Sequence, residues 1–169
     1  RQMCIRDRGL LDKWAVHLGG GLTHRLTRED ALMIKENDLA AMSDSDLTND
    51  QKIAQLIQSL QLDTSASFIE IEVRNEKEAI TAAAVWSQTH AASDTELVIM
   101  LDNFGPERCK DVVAQLTDME LRDAILLEAS GNITYQSLDD WFECGVDVLS
   151  TSAINRGVPP LDISMIMGE

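Results

Sequence analysis

Aromatic residues make up only 4% of the 169 residues, so a core must be built mainly from Ala, Val, Ile, Leu and Met. Three widely spaced cysteines, Cys4, Cys109 and Cys144, form no CxxC pair, which argues against a disulfide framework and a cysteine metal site. A reducing, cytoplasmic location is therefore expected. The longest apolar run, Ile80–Trp86, is far too short to span a bilayer, and no signal-peptide pattern opens the chain.

Positive charge is also scarce, since 14 Lys and Arg stand against 29 Asp and Glu, for a net charge of −15. Nucleic-acid binding requires a basic surface and anionic membranes repel an acidic one, so neither is an expected partner. Residues 1–35 differ from the rest, with seven basic and four acidic side chains. This segment predicts either a cationic small-anion site on an acidic body or an unevenly charged solvated surface.

Apolar segments alternate with helical patterns after residue 30, and their spacing leaves room for crossover helices. Such an order predicts an α/β fold of parallel strands, either a doubly wound sheet or a βα barrel, with its site at the carboxyl ends of the strands. The chain has no GxGxxG or GxxxxGK[ST] motif, so the usual dinucleotide and nucleoside-triphosphate loops are absent. Strands are predicted at Ala31–Lys35, Ser67–Val73, Glu96–Leu101, Ala124–Leu127 and Val146–Leu149, and helices over 50–60, 76–86, 105–116 and 138–144.

Polar residues follow or interrupt several of these strands. Glu70 and Glu72 share one face of a strand, which predicts either that cations or a metal compensate them or that this face is wet. Lys35 and Asp102 end strands and are candidate ligand-binding residues, with a solvated strand end and a helix cap as the alternatives. The segment 130–132, Ser-Gly-Asn, is either a phosphate-binding nest or a plain turn.

A triple glycine precedes a second candidate pair. Gly19–Gly21 form a loop that allows close backbone approach to a ligand, and His24 and Arg25 follow it as potential donors. A flexible linker and an exposed polar pair are the alternatives. No Ser/His/Asp or Cys/His set is readable, so nucleophilic catalysis by a side chain is not predicted.

Eight strings in this order resemble one family, quinolinate phosphoribosyltransferase, also called carboxylating nicotinate-nucleotide pyrophosphorylase. The resemblance spans about Gly9 to Met167. The strings are LLDKWAV from Leu10, GGG with His24-Arg25, IKEN from Ile34, EIEV from Glu70, MLDNF from Met100, EASG from Glu128, GVDVLS from Gly145 and LDIS from Leu161.

The resemblance implies transfer of a phosphoribosyl group from phosphoribosyl pyrophosphate to quinolinate with decarboxylation, giving nicotinate mononucleotide, CO2 and pyrophosphate in NAD synthesis. It implies Mg2+ as cofactor, a homodimer or higher homo-oligomer with sites shared across subunits, and an incomplete βα barrel preceded by an α/β sandwich. We expect residues 1–8 to be a junction segment, 9–169 to be the barrel domain without its sandwich, and this fragment alone to be inactive.

Site residues follow from the resemblance position by position. His24, Arg25 and Lys35 match positions that contact quinolinate, and Glu72 and Asp102 match an acidic pair that faces ribose, pyrophosphate and metal, directly or through water. The two phosphate-binding loops match Ser130, Gly131 and Asn132 in one case and Thr151, Ser152 and Ala153 in the other.

Several positions depart from the family pattern. Ser152 and Arg156 stand where a Gly and a His are usual, Asn132 replaces a frequent Gly, and Asp38 replaces a frequent His. The Thr-Arg-Lys segment expected before Leu10 is missing. A paralogue of the same fold acting on another pyridine or pyrimidine acid, or a non-catalytic barrel remnant that binds phosphate, are therefore the alternatives.

Overall fold

A five-stranded, fully parallel sheet forms the centre of the protein, whose computed structural model describes residues 9–25, 30–42, 46–62 and 67–154. The strands are β1 (Ala31–Ile34), β2 (Phe68–Val73), β3 (Glu96–Asp102), β4 (Leu126–Ser130) and β5 (Val148–Ser150), and they pair in this order. A doubly wound sheet reverses its strand order at a switch point, whereas this order runs straight through. The sheet is therefore of the barrel type and is open, as an incomplete barrel requires.

Helices connect the strands. The chain forms α1 (Gly9–Leu18), α2 (Glu36–Ala40), α3 (Asn49–Ser59), α4 (Glu76–Thr89) and α5 (Pro106–Asp118), with 3-10 helices at Arg122–Ala124 and Tyr135–Trp141. The predicted helices 50–60, 76–86 and 105–116 are confirmed within a few residues at their ends. No described helix within 9–25, 30–42, 46–62 or 67–154 is both long and apolar enough to cross a membrane.

Local sequence explains where these helices begin. The side chain of Asn75 accepts a hydrogen bond from the backbone N–H of Glu78, which satisfies one free donor at the start of α4. Pro106 opens α5, where its missing N–H costs nothing, and Gly105 before it has φ of +78°, a conformation that favours glycine. The strands and helices thus follow one another as parallel pairing requires.

The apolar core lies on one face of the sheet. Ile71, Ile99 and Leu127 are fully buried there against α3, α4 and α5, and α4 contacts both β2 and β3. Each of these residues alternates along its strand with one that faces the other side. The second face carries the polar residues Glu70, Glu72 and Glu128.

Three predicted elements near the end of the chain were misplaced. The predicted strand Ala124–Leu127 is wrong in position: Ala124 lies in a 3-10 turn, and the strand is Leu126–Ser130. The predicted helix 138–144 is instead the 3-10 helix Tyr135–Trp141. The last strand is Val148–Ser150 rather than Val146–Leu149, since Asp147 accepts hydrogen bonds from Leu127 N–H and from Arg122 before it begins.

Some sequence predictions lie outside the described residues. These are the junction segment 1–8, residue Arg156 and the apolar stretch 161–167.

Candidate active site at the carboxyl edge of the sheet

The second face of the sheet gathers the polar residues that the sequence singled out. Parallel register places Glu72 beside Met100 and Met100 beside Glu128, while Asp102 lies beside Ser130 and Ser130 beside Ser150. Paired residues in neighbouring strands share a face. Glu72, Asp102 and Ser130 therefore lie on one face, each at or next to the carboxyl end of its strand.

His24 belongs to a buried acidic cluster on this face. Its Nε2 lies 2.9 Å from Oε2 of Glu70, and its ring meets Phe68 edge-on with centroids 6.3 Å apart. Oxygens of Glu70 and Glu128 and a ring nitrogen of His24 all lie within 4.8 Å of one another. Glu70 is fully buried and Glu128 is 4% exposed, so the alternative of a wet strand face is wrong for Glu70.

Burial and mutual charge shift the ionisation of this cluster. Contact with Glu70 is the main factor that raises the pKa of His24, although partial burial opposes it. Desolvation by burial raises the pKa of Glu128, a hydrogen bond from Ser150 opposes this, and the charge of Glu70 adds to it. The imidazole is thereby favoured in its charged form beside Glu70.

Lys35 pairs with the other glutamate of the strand. Its Nζ lies 2.5 Å from Oε2 of Glu72, and the two side chains are 46% and 13% exposed. The position of Lys35 is fixed from its own backbone, because its N–H donates to Oδ2 of Asp38 at 2.8 Å at the start of α2. Asp38 thus has a structural task here, as a side-chain partner at the helix N-terminus.

Arg25 reaches this face from the loop that precedes β1. Its guanidinium donates to the carbonyl of Ala31 at 3.0 Å and contacts the sulfur of Met33 at 3.6 Å. The loop is held from behind by Lys13 of α1, whose ammonium donates to the carbonyls of His24, at 3.1 Å, and Arg25. Contacts with α1 and β1 therefore fix the loop that carries His24 and Arg25.

The loops that follow β3 and β4 are joined to each other. Asn103 N–H donates to the carbonyl of Ser130 at 2.8 Å, and Asn132 Nδ2 donates to Asn103 Oδ1 at 3.1 Å. Asn103, Gly131 and Asn132 all have positive φ. Asn tolerates this conformation better than most residues, so Asn132 can stand where glycine is frequent. A cavity of about 290 Å³ beside these loops is lined in part by Asn103, Gly131 and Asn132.

The second predicted phosphate loop follows β5. Thr151 Oγ1 donates to the carbonyl of Ile133 at 2.5 Å and accepts from Ala153 N–H at 3.0 Å. Ser152 lies between them in a bend, so all three residues are at the same edge of the sheet as Ser130. Their assignment to phosphate stays a prediction.

Sequence reasoning missed the part that Glu128 plays. With the fourth strand placed too early, Glu128 fell in a loop, whereas it is the third residue of β4 and faces Glu70. The alternation of Glu128 with Ser130 was the signal that could have found it. The contact of His24 with Glu70 had no local signal, because 46 positions separate the two residues.

Cations and carboxylates follow one another along this edge of the sheet and meet in the pair of Lys35 with Glu72. Arg25 and Lys35 lie toward β1, and the carboxylates of Glu72 and Asp102 follow on β2 and β3. Asp102 Oδ1 accepts from Asn103 Nδ2 at 2.9 Å, and no other side chain in the described part of the chain bonds to Asp102, so its second oxygen can meet a ligand or an ion. Carboxylate oxygens on adjacent strands are donors that suit Mg2+.

Known proteins resemble this chain over most of its length. The family model for the C-terminal domain of quinolinate phosphoribosyl transferase matches residues 8–166. The chain is 31% identical over 156 residues to the probable carboxylating nicotinate-nucleotide pyrophosphorylase of Archaeoglobus fulgidus and 35% identical over 156 residues to that of Bacillus subtilis. These matches cover 92% of this chain but 53% and 47% of the relatives, so the chain spans about half their length.

Solved structures with similar folds also cover most of this chain and about half of their own length. The nicotinate-nucleotide pyrophosphorylase of Francisella tularensis superposes with a TM-score of 0.63 at 31% identity, covering 87% of this chain and 45% of that one. A NadC deletion mutant superposes with a TM-score of 0.69 at 27% identity, covering 90% and 46% of the two chains.

Proposed function

The chain belongs to the quinolinate phosphoribosyl transferase family through its C-terminal domain, and from this premise we propose that the protein makes nicotinate mononucleotide. In the proposed reaction, quinolinate nitrogen bonds to the ribose carbon of phosphoribosyl pyrophosphate as pyrophosphate leaves. The bond from C2 to the 2-carboxylate then breaks, CO2 leaves, and the electron pair stays on C2, where the adjacent ring cation stabilises it until C2 takes a proton from water. The observation that carries the proposal is the row of cations beside carboxylates at one edge of the sheet.

Quinolinate is the substrate we assign to the cationic end of this edge. It carries two carboxylates, and the planar fork of an arginine can hold a carboxylate through two parallel hydrogen bonds. Arg25 and Lys35 supply positive charge there, and His24 is favoured in its charged form by Glu70. These three residues would bind and orient the diacid without taking part in bond changes.

Glu72 and Asp102 are assigned to the sugar phosphate. As pyrophosphate departs, positive charge develops on the ribose ring, and fixed carboxylates directed at that charge lower the barrier. Glu72 keeps its ion pair with Lys35, which holds the carboxylate in place next to the diacid. The negative pair thus serves the transition state more than the bound substrate.

Mg2+ is the proposed cofactor, and the donor set fits it. Glu72 and Asp102 would hold the ion directly or through water, since Mg2+ keeps several waters and needs only one or two carboxylates. When bound, it neutralises charge on the leaving pyrophosphate. The carboxylates themselves remain positioned by Lys35 and Asn103.

Phosphate groups are assigned to the two loops. Ser130, Gly131 and Asn132 offer a hydroxyl, an exposed backbone and an amide beside the 290 Å³ cavity, and Thr151 to Ala153 form the neighbouring turn. Backbone N–H groups in such turns make concave anion sites. We also propose a cytoplasmic location and, for the full-length protein, a homodimer or higher homo-oligomer, whose size sedimentation velocity would measure.

An activity assay tests the function. Because the matched model describes a C-terminal domain, we would assay this chain alone and joined to the amino-terminal part of the Archaeoglobus relative. Formation of nicotinate mononucleotide and CO2 from quinolinate and phosphoribosyl pyrophosphate is expected in the joined protein. Nicotinate, which lacks the 2-carboxylate, should not replace quinolinate. Turnover of nicotinate or of another ring acid in place of quinolinate would instead favour a paralogue.

A matched pair of variants ties that activity to the site. Asp102→Asn should lower kcat strongly, because it removes a charge at the reacting end, whereas Asp111→Asn on the exposed surface of α5 should not. Equal kcat values for the two variants would contradict the role given to Asp102.

A further inference from the structure

The cluster of His24, Glu70 and Glu128 has more negative charge than its surroundings compensate. Both oxygens of Glu70 and Oε1 of Glu128 are buried without a hydrogen bond of standard geometry, and so is Nε2 of His24 despite its proximity to Glu70. An ionised carboxylate in such surroundings is strongly destabilised unless an opposite charge is near. One imidazolium balances one carboxylate, so the second is balanced either by a proton on Glu128, whose pKa burial raises, or by a further cation among the three residues.

Lys35 acts on Glu128 only at a distance, and apart from His24 no cationic side chain in the described part of the chain forms an ion pair with Glu70 or Glu128. The ammonium of Lys35 is bound to Glu72, and the guanidinium of Arg25 donates to the carbonyl of Ala31 and contacts Met33. Both cations lie close by, but within the described residues neither forms a hydrogen bond or an ion pair with Glu70 or Glu128. When both carboxylates are ionised, the compensating charge therefore comes from outside these side chains.

The spacing of the three donors fits a metal ion. Ligand atoms around an ion with bonds of about 2.1 Å are roughly 3.0–3.4 Å apart. Nε2 of His24 and Oε2 of Glu70 are already 2.9 Å apart, and all three donors lie within 4.8 Å. Closing the set requires a movement of roughly 1–1.5 Å by one flexible carboxylate, on the same bond-length basis.

We propose that His24, Glu70 and Glu128 bind a divalent first-row cation, of which Mn2+ is the representative, at a site separate from that of Glu72 and Asp102. One imidazole and two carboxylates form a mixed nitrogen and oxygen donor set that suits such ions better than Mg2+. The ion takes the place of the proton that Glu70 otherwise favours on His24, so a neutral imidazole, two carboxylates and a divalent ion give a net charge of zero. His24 would then meet quinolinate through Nδ1–H and not as a cation. The ion would also fix the ring of His24, with Nδ1 as its remaining N–H donor.

Mn2+ binding to the full chain, without substrates, tests this proposal. The chain is freed of metals with a chelator and titrated calorimetrically with Mn2+ in the presence of excess Mg2+. Mn2+ is preferred to Zn2+ as the probe because the chain has three cysteines, and soft thiolates select Zn2+. One tightly bound Mn2+ per chain is expected, with a rise in the thermal unfolding midpoint.

Three variants locate the ion. Glu128→Gln and His24→Ala should each weaken Mn2+ binding by about 100-fold or more, whereas Glu72→Gln should leave it unchanged. The side chain of His24 is 34% exposed, so His24→Ala leaves the core intact and decides the matter even if Glu128→Gln fails to fold. Absence of a stoichiometric site, displacement by Mg2+, retention in His24→Ala, or loss in Glu72→Gln would each overturn the proposal. Because no turnover is measured, this result is independent of the transferase assay.

Discussion

Glu70 and Glu72 are two residues apart on one strand, yet their surroundings differ sharply. Glu70 is fully buried beside His24, while Glu72 is partly exposed and paired with Lys35. Strand alternation predicted that the two carboxylates share a face and need cations. It could not predict which cation serves which glutamate, because both partners come from segments more than 30 positions away and only the folded sheet brings them together.

Arg25→Ala is expected to raise the KM for quinolinate and to leave the KM for phosphoribosyl pyrophosphate nearly unchanged. Loss of a charged hydrogen bond costs about 1.5–3 kcal/mol, or roughly 10- to 150-fold in affinity. Steady-state kinetics of the joined, active protein with each substrate varied in turn measure both constants. Lys110→Ala, on the exposed surface of α5, is the matched control. A larger effect on phosphoribosyl pyrophosphate than on quinolinate would reverse the assignment.

The thiol of Cys109 is expected to resist alkylation in the folded protein. Burial raises its pKa to about 12, so the reactive thiolate is negligible at neutral pH. Peptide mapping by mass spectrometry after treatment with a thiol reagent at pH 8 should find Cys109 unmodified in buffer and modified in denaturant. Rapid modification in buffer would show that the inner side of α5 opens readily.

At the scale of elements, the strongest sequence patterns gave the correct helices and strands. The alternation in β2 and the continuous apolar run of β3 were located within a residue of their observed ends. β4 was misplaced because its apolar run begins at Ala124, the last residue of the 3-10 turn, and because the strand continues through the polar residues Glu128 and Ser130. Apolar composition alone does not distinguish the end of a turn from the start of a strand.

The loops after β3 and β4 offer a matched pair of glycine substitutions. Gly131 has φ of +99°, and a Cβ there would lie 2.6 Å from Cγ of Asn103, whereas Gly105 has φ of +78° and open space around it. Gly105→Ala should cost about 1–2 kcal/mol from backbone strain alone. Gly131→Ala should cost at least about 1 kcal/mol more, because Asn103 must also move.

Chemical denaturation measures both free energies of unfolding. Equal losses for Gly105→Ala and Gly131→Ala would mean that the loop joining Asn103 to Asn132 adapts freely, and would weaken its assignment as a fixed phosphate site.

The ion pair that joins α4 to α5 should stabilise the protein at neutral pH and lose this effect in acid. Glu76 pairs with Arg108 at 2.8 Å, and this hydrogen bond lowers the pKa of Glu76 below its ordinary 4.5. A carboxyl group whose pKa is lower in the folded than in the unfolded state stabilises the fold at pH values above its unfolded-state pKa. That stabilisation is lost as the pH falls through its folded-state pKa. Since both side chains are more than a third exposed, the effect is at most about 1 kcal/mol.

Thermal unfolding of Glu76→Gln checks this link. The variant should be less stable than the parent at pH 7, and the difference should shrink as the pH falls below about 4.5. Glu143→Gln, exposed near the end of the 3-10 helix, is the control. A difference that grows in acid would contradict the sign.

At the scale of the whole molecule, the fold class was predictable and the strand order was not. Spacing of the apolar segments implied parallel strands with helical crossovers, and the family resemblance favoured the barrel over the doubly wound sheet. The observed order from β1 to β5 agrees with the barrel. Helices cover the face carrying Ile71 and Ile99, which leaves the opposite face for the site. The alternation of apolar and polar residues shows which residues share a face of a strand. It does not show on which side of that strand the next strand pairs.

The large negative net charge predicts that added salt raises the stability of the folded protein. With 29 acidic and 14 basic side chains, the folded state is opposed by self-repulsion, which salt screens. Ion pairs such as Arg74 with Glu36 are highly exposed, so they contribute little stability and salt screening weakens the fold little through them. We therefore expect added NaCl at pH 7 to stabilise the protein by about 1 kcal/mol, or roughly 2–4 °C in Tm for a chain of this size.

Calorimetric scans across NaCl concentrations measure this response. The same scans at about pH 4.5, where the carboxylates are partly protonated, should show a smaller rise because the net negative charge is lower. A Tm that falls with NaCl at pH 7 would mean that compensated pairs, including Lys35 with Glu72, outweigh the excess of negative charge. In that case neighbouring cations would already neutralise the acidic residues. The electrostatic potential around Arg25 and Lys35 would then be less negative than the net charge of the chain implies.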